Sequence, residues 1–191
     1  MIFSPAYISA LIVRPIRFFF EFHSPLDVRW SEDPKVSSIE VDTINNFNKI
    51  AIQAKPRVLV SRGSYSIRPV GLTDNLAETK GIKELKGATD RINMVLIEGM
   101  AQVMVEARNE GTCEKVVDLL EHFLAWTGPM IANTKGFKIF GLPMSISSCT
   151  PSREDTEIFT CTINLPWTRE EQWRVLSDDI KFKSLLLSIH P

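Results

Sequence analysis

The segment MVEARNEGTCEKVVDLLEHFLAW, residues 104–126, decides the fold because it joins two kinds of secondary structure across one short turn. Small or apolar residues occupy every second position from Ile97 to Ala107, while polar residues lie between most of them. This alternation predicts a long strand with one buried face that ends at Arg108. From Val116 to Thr127 the apolar residues recur at helical spacing instead. The second half of the segment is therefore predicted to be an amphipathic helix.

The turn between these two elements carries the signals that begin a helix. Gly111 supplies a tight turn, and Thr112 is the predicted N-cap because a hydroxyl oxygen can accept a hydrogen bond from the first helical turn. Gly128 and Pro129 come after the last periodic residue, and this pair predicts the end of the helix. The segment is thus a strand-turn-helix unit whose helix lies on a sheet.

A cysteine in the first helical turn and a histidine further along raise the hypothesis of a thiol enzyme. A helix N-terminus lowers the pKa of a thiol, so Cys113 has one feature of a nucleophile. His122 follows nine residues later, which is about 13 Å of rise and about 900° of rotation, so the two side chains face opposite sides. We predict that Cys113 is a small first-turn residue. The alternative is a small cysteine-dependent enzyme in which Cys113 meets the distant His23 or His190.

For the other candidate sites, the residues favour an ordinary structural role over a functional one. The turn RNEGT, residues 108–112, has the parts of an anion site but lacks the second glycine and the lysine of a phosphate-binding loop. The acidic tip SREDTE, residues 152–157, fits a solvated hairpin end. Asp118 and His122 have the spacing of a surface pair on a helix. No metal-spaced histidine cluster occurs in the sequence. We predict no catalytic, cofactor-binding or metal-binding residues and no cofactor.

Composition narrows the class of protein further. The chain has 191 residues, of which 44% are hydrophobic and 24% charged, as in an ordinary globular protein. A formal net charge of -1 disfavours a dedicated nucleic-acid binder. The basic residues of the long polar loop 72–93 alternate with acidic ones, so they predict no phosphate-binding surface; they are Lys80, Lys83, Lys86 and Arg91. The spacing of the three cysteines indicates reduced thiols.

The two ends of the chain are predicted to be accessory to the core. An apolar run from Ile2 to Val13 is too short to cross a bilayer and lacks the charge order of a signal peptide, so no membrane partner is predicted. A short helix should begin after Ser4 and end at Pro15, before a strand or extended arm. We predict an N-terminal arm and connecting segment over 1–55, a core domain over 56–176 and a C-terminal helix over 177–191.

The remaining core elements read as two hairpins. The first pairs residues 57–62 with 64–70 about Gly63. The second pairs Ile146 with Ile163, which would place Cys149 on the face opposite Cys161. After it, the pattern of Thr168 and Glu171 predicts a capped helix. The expected fold class is α+β, a mostly antiparallel sheet with one amphipathic helix packed across it, plus terminal helices.

This order of elements resembles a known family of virion proteins. The residues that carry the resemblance are PRVLVSRGSYSIRPVGLTDNLAE, VMVEARNEGTCEKVVDLLEHFLAW and FKIFGLPMSISSCTPSREDTEIFTCTINLPW, together with the following EEQW. They are similar to the tail terminator or tail-completion proteins in the necks of long-tailed bacteriophages. The resemblance covers roughly residues 55 to 175.

The resemblance implies a mechanical function rather than an enzymatic one. A homohexameric ring would cap the tail tube, bind the tail tube protein and the head-side connector protein, and let DNA pass through its lumen without sequence-specific binding. It would be located in the virion neck after assembly in the host cytoplasm. The alternatives are another neck or tail structural protein (connector, sheath-associated or tube-associated), the cysteine enzyme, or a binding module for a small ligand on the sheet.

Overall fold

A computed structural model describes residues 6–44, 55–70, 91–152 and 157–175. These residues form an α+β fold with two helices and a large, mostly antiparallel sheet, which confirms the predicted fold class. In chain order the elements are α1 (Ala6–Phe22), β1 (Glu40–Thr43), β2 (Arg57–Ser61), β3 (Tyr65–Val70), β4 (Arg91–Ala107), α2 (Glu110–Lys135), β5 (Phe137–Phe140), β6 (Ser145–Ile146), β7 (Thr150–Pro151) and β8 (Phe159–Val175). The predicted C-terminal helix over 177–191 lies outside the described residues.

The strands form one sheet in the order β1-β2-β4-β8-β5, with β3 paired to β4 and with β6 and β7 paired to β8. Strands β1 and β2 are parallel, and β2 is antiparallel to β4. The chain divides into two compact units, unit 1 from residues 1–65 and 98–168, and unit 2 from residues 66–97 and 169–191. Both helices belong to unit 1, as does β1 of the predicted arm. The boundaries predicted at 55 and 176 stay predictions.

Helix α1 does not end at Pro15, as the sequence predicted, but continues to Phe22. One face of the helix is fully buried, and it packs against β1 and β2; its largest buried side chains are Ile8, Ile12, Ile16 and Phe20. A proline inside a helix costs about 3 kcal/mol. Burying four such side chains contributes roughly 6–12 kcal/mol, which outweighs that cost and keeps the predicted extended arm helical.

Two basic side chains fix the β1 edge of the sheet. Arg57 is 1% exposed and forms an ion pair with Glu40, its register partner on β1, at 2.8 Å between Nε and Oε2. From α1, Arg17 donates from Nε to the Val41 carbonyl at 2.9 Å. These contacts bind the short parallel strand to both the helix and the sheet.

Strand β4 has the face pattern that the sequence predicted. Its alternate side chains are buried, whereas Gln102 on the other face is exposed; the buried ones are Ile97, Ala101, Val103, Val105 and Ala107. The strand begins earlier than predicted, at Arg91, and so includes the last residues of the predicted loop 72–93. Polar residues at its start obscured the alternation on which the prediction depended.

The predicted hairpin about Gly63 is wrong, because β2 and β3 both pair with β4 rather than with each other. Gly63 has a φ of 60° and lies against the neighbouring strand, where an added Cβ would be 1.8 Å from the Met100 carbonyl oxygen. The Met100 amide donates to the Ser64 carbonyl at 3.0 Å. Gly63 therefore forms a close backbone contact with β4 instead of a reversing turn.

Helix α2 exists as predicted, but both of its ends differ. It begins at Glu110 with Asn109 as the N-cap, not Thr112, because the Asn109 Oδ1 accepts hydrogen bonds from two backbone amides, Gly111 N at 2.8 Å and Thr112 N at 3.4 Å. It passes through Gly128 and Pro129 and ends at Lys135, with Gly136 as the C-cap at a φ of 70°. Gly128 allows close packing on β5, since a Cβ there would lie 2.7 Å from the Phe140 oxygen.

The second hairpin has the predicted register only in part. Ile146 pairs with Ile163 as predicted, but Thr150 pairs with Thr160. Between the two pairs one strand advances by four residues and the other by three. The extra residue acts as a bulge and reverses the side-chain faces beyond it. This slip explains why the prediction that Cys149 lies on the face opposite Cys161 is wrong, since the two thiols interact.

The capped helix predicted after Thr168 is also wrong, because β8 continues to Val175. Arg169 and Glu171 form an ion pair at 3.5 Å. Residues two apart share a face of a strand but not of a helix. An ion pair on one face of a strand therefore takes the place of the predicted capping box.

Candidate functional site

Three cysteines that are far apart in sequence converge beneath the start of α2. Cys113 lies in the first turn of α2, Cys149 lies between β6 and β7, and Cys161 lies on β8. The Sγ atoms of Cys113 and Cys149 are 3.2 Å apart. The Cys161 thiol instead donates to the carbonyl oxygen of Ser147, at 3.0 Å. All three are free thiols. Cys149 and Cys161, which the sequence predicted on opposite faces, interact with each other.

The surroundings of Cys113 act against a catalytic thiolate. The side chain is fully buried. Burial raises its pKa, and the hydrogen bond with Cys149 and the nearby Glu114 carboxylate raise it further. Burial also raises the pKa of Cys161. Loss of hydration thus outweighs the effect of the helix N-terminus, so Cys113 does not have the lowered pKa of an activated catalytic nucleophile.

The histidines do not complete a thiol site at Cys113 within the described residues. His122 is on the exposed side of α2, and its Nδ1 lies 2.8 Å from the backbone oxygen of Asp118. The spacing of Asp118 and His122 therefore produces a contact with the main chain of Asp118. His23 is exposed at the end of α1. His190 lies outside the described residues.

An aromatic groove lies between α1 and α2, and no sequence motif indicated it. It has a cavity volume of about 750 Å³. The lining residues are Phe18, Phe19 and His23 from α1, and Asp118, Leu119, His122, Phe123 and Trp126 from α2. Two of the lining side chains, Phe19 and Phe123, stack on each other with ring centroids 4.6 Å apart.

Large aromatic side chains stay exposed around this groove. Trp126 is 72% exposed, Phe22 is 59% exposed and Phe18 is 55% exposed. Phe18 and Phe22 contact each other with centroids 5.0 Å apart, so their exposed rings form one continuous apolar surface. Contiguous exposed apolar surface is typical of an interaction site rather than of ordinary protein surface.

The groove unites residues that the sequence analysis treated separately. His23 had been considered only as a distant partner of Cys113, and His122 as part of a helix-surface pair, yet both line the same cavity. The signal that was available in the sequence is the aromatic run of α1, from Phe18 to Phe22. It was interpreted as an extended arm, and that conformation gave no reason to expect these aromatic side chains to pack beside α2.

In the turn RNEGT, two backbone amides already donate hydrogen bonds to a side chain of the turn itself. The Asn109 side chain accepts hydrogen bonds from the amides of Gly111 and Thr112, which an anion would otherwise bind. The strand-turn-helix geometry therefore has a local explanation, a side-chain N-cap.

Several sequence candidates cannot be placed. Most of the acidic tip 152–157 and the basic residues Lys80, Lys83 and Lys86 lie outside the described residues. Across the described ranges, no group of three or more His, Cys, Asp or Glu side chains is arranged to hold a metal ion. Neither described helix is long and apolar enough to cross a membrane.

Comparison with known proteins adds no family. No model of a known protein family matches the chain, and no curated protein sequence is significantly similar to it.

Proposed function

We propose that this chain is a structural protein of the neck of a long-tailed bacteriophage, a tail terminator that forms a ring on the end of the tail tube and joins the tail to the head connector. The proposal starts from the resemblance over residues 55 to 175. It is supported by the order of the described elements, in which α2 follows the long strand β4 and precedes the strands that pair with β8.

The observation that carries the proposal is the exposed aromatic groove between α1 and α2. A protein that acts as a monomer has little reason to keep Trp126, Phe18 and Phe22 more than half exposed on adjoining helices. Aromatic residues are enriched at the centres of protein interfaces, where they contribute much of the binding free energy. We therefore assign the groove to contact with a second copy of the chain.

A ring of identical subunits needs two different surfaces on each subunit, because each copy contacts the next head to tail. Unit 1 exposes a second apolar area along the β5 edge of the sheet and the adjoining β6. Its members are Ile139, Leu142 and Ile146, which are 36–43% exposed. In the proposed ring this edge of one subunit packs into the aromatic groove of its neighbour.

In the proposed ring, each of the remaining partners has its own position. As a homohexamer it would bind the tail tube protein on one face and the head-side connector protein on the other, in the virion neck after assembly in the host cytoplasm. DNA would pass through the lumen without sequence-specific contacts, which fits a net charge of -1.

Purified full-length protein tests the proposal by native mass spectrometry and negative-stain electron microscopy, followed by addition to tail tubes that lack their terminator. The expected results are closed rings and tubes whose ends no longer elongate. A ring that leaves tube elongation unchanged would favour another neck or tail structural protein. A stable monomer that never binds tails would contradict the proposal.

A further inference from the structure

The Cys113 and Cys149 thiols are placed for a reaction with each other. Their sulfur atoms are 3.2 Å apart, and a disulfide bond of about 2.0 Å requires them to approach by only about 1.2 Å. The two residues belong to different elements, the first turn of α2 and the connection between β6 and β7. A bond between them would therefore link the helix layer to the edge of the sheet.

We propose that Cys113 and Cys149 are an oxidative modification site, at which a peroxide converts the two thiols into an intramolecular disulfide. Cys149 sulfur attacks one peroxide oxygen, the O–O bond breaks, and water leaves while Cys149 becomes a sulfenic acid. Cys113 sulfur then attacks Cys149 sulfur and the S–O bond breaks. The hydroxyl group leaves with the Cys113 proton as a second water, so two thiols and one hydrogen peroxide give one disulfide and two waters.

The burial of the two thiols sets the order of these steps. Cys149 is partly exposed, whereas Cys113 is fully buried. An oxidant in solution therefore reaches Cys149 first, and Cys113 resolves the sulfenic acid. Because burial raises the pKa of Cys113, little thiolate is present at neutral pH, and the second step should accelerate as the pH rises.

Cys161 is the competing partner for Cys149. Cys161 lies close enough to Cys149 for a hydrogen bond between the two thiols, which adds to the effect of burial in raising the Cys161 pKa. Its Sγ, however, is directed to the Ser147 carbonyl at 3.0 Å, and the Ser147 hydroxyl lies 3.8 Å from it. Cys113 makes its thiol contact with Cys149 itself, which favours Cys113 as the resolving residue.

The full chain, fully reduced and then treated with hydrogen peroxide, tests this assignment. After acid quenching and alkylation, non-reducing peptide mapping should find a cross-link between the peptides of Cys113 and Cys149, formed faster at higher pH. The cross-link closes the chain between residues 113 and 149 and should raise the Tm by roughly 5–10 °C, reversibly on addition of a reductant. Cys161→Ser is the matched control and should keep the cross-link, whereas Cys149→Ser should abolish it.

Peptide mapping of the unsubstituted chain does not depend on whether any variant folds. This measurement alone therefore decides whether the assignment of the disulfide is right. A cross-link between Cys149 and Cys161, or between two chains, would overturn the assignment. So would oxidation of Cys149 to the sulfinic acid without any cross-link, because a thiol at 3.2 Å should capture the sulfenic acid before a second peroxide does.

Discussion

Replacing Trp126 by serine should weaken self-association without unfolding the subunit. Trp126 is 72% exposed in the single chain, so its side chain contributes little to the subunit's own core. An aromatic side chain buries about 150–250 Å². The exposed part is then roughly 110–180 Å², and covering it is worth at most about 3–4.5 kcal/mol at ~25 cal/mol per Å².

Association loses part of that free energy to the ordering of side chains and to incomplete burial. We therefore expect a loss of about 2 kcal/mol for each interface, which weakens the subunit contact about 30-fold. Sedimentation velocity over a range of protein concentrations measures this change. Thermal unfolding followed by circular dichroism should show an almost unchanged Tm, because exposed positions rarely affect stability.

Leu26→Ser is the matched control, since Leu26 is 77% exposed but does not line the groove. It should associate like the unsubstituted protein. The assignment of the groove fails if Trp126→Ser forms rings at the same concentrations as the unsubstituted chain, or if Leu26→Ser weakens them equally.

Three further substitutions test the fold and its electrostatics. Gly99→Ala should destabilise the protein by about 1–3 kcal/mol in urea unfolding, because its Cβ would lie 2.4 Å from the Cζ2 atom of the fully buried Trp167; an unchanged midpoint would contradict this packing. Asn109→Ala should cost about 1 kcal/mol by the same measurement, since it removes the N-cap of α2. The hydrogen bond from Lys115 lowers the pKa of Asp27, so this pair stabilises the fold above the usual Asp pKa and loses its effect as the pH falls through the folded value. Lys115→Met should therefore raise the Asp27 pKa in a carboxyl NMR titration, and an unchanged pKa would show that the 2.6 Å contact does not form in solution.

The sequence predicts a buried strand face more reliably than it predicts where elements end. The alternation from Ile97 to Ala107 was sufficient, because burial on one face of a strand imposes a period of two. The predicted C-terminal ends of α1 and α2 were wrong for one common reason: Pro15 and Gly128 are local breakers that tertiary packing overrides. At Gly128 the decisive contact is with Phe140, which no local pattern reveals.

The two candidate sites depend on contacts that only the folded chain defines. The thiol contact follows from a one-residue slip between the Ile146 and Thr150 pairs, and a slip of one residue exchanges the two faces of a strand. The groove depends on α1 remaining helical beyond Pro15, which places Phe18 and Phe19 beside α2. In both cases the structure differs from the local sequence pattern at one position, a bulge in the hairpin and a proline inside α1. That difference determines which distant residues meet.

The groove and the thiol pair can be judged separately because they occupy different parts of α2. Cys113 and Trp126 are thirteen residues apart, which is about 20 Å along the helix axis and about 220° around it. Cys113 faces the sheet and is fully buried, whereas Trp126 faces solvent. A disulfide at the first turn therefore constrains the end of the helix away from Trp126 and leaves the aromatic surface in place. For this reason a failure of ring formation would not weaken the case for the thiol pair, and a missing cross-link would not weaken the case for the ring.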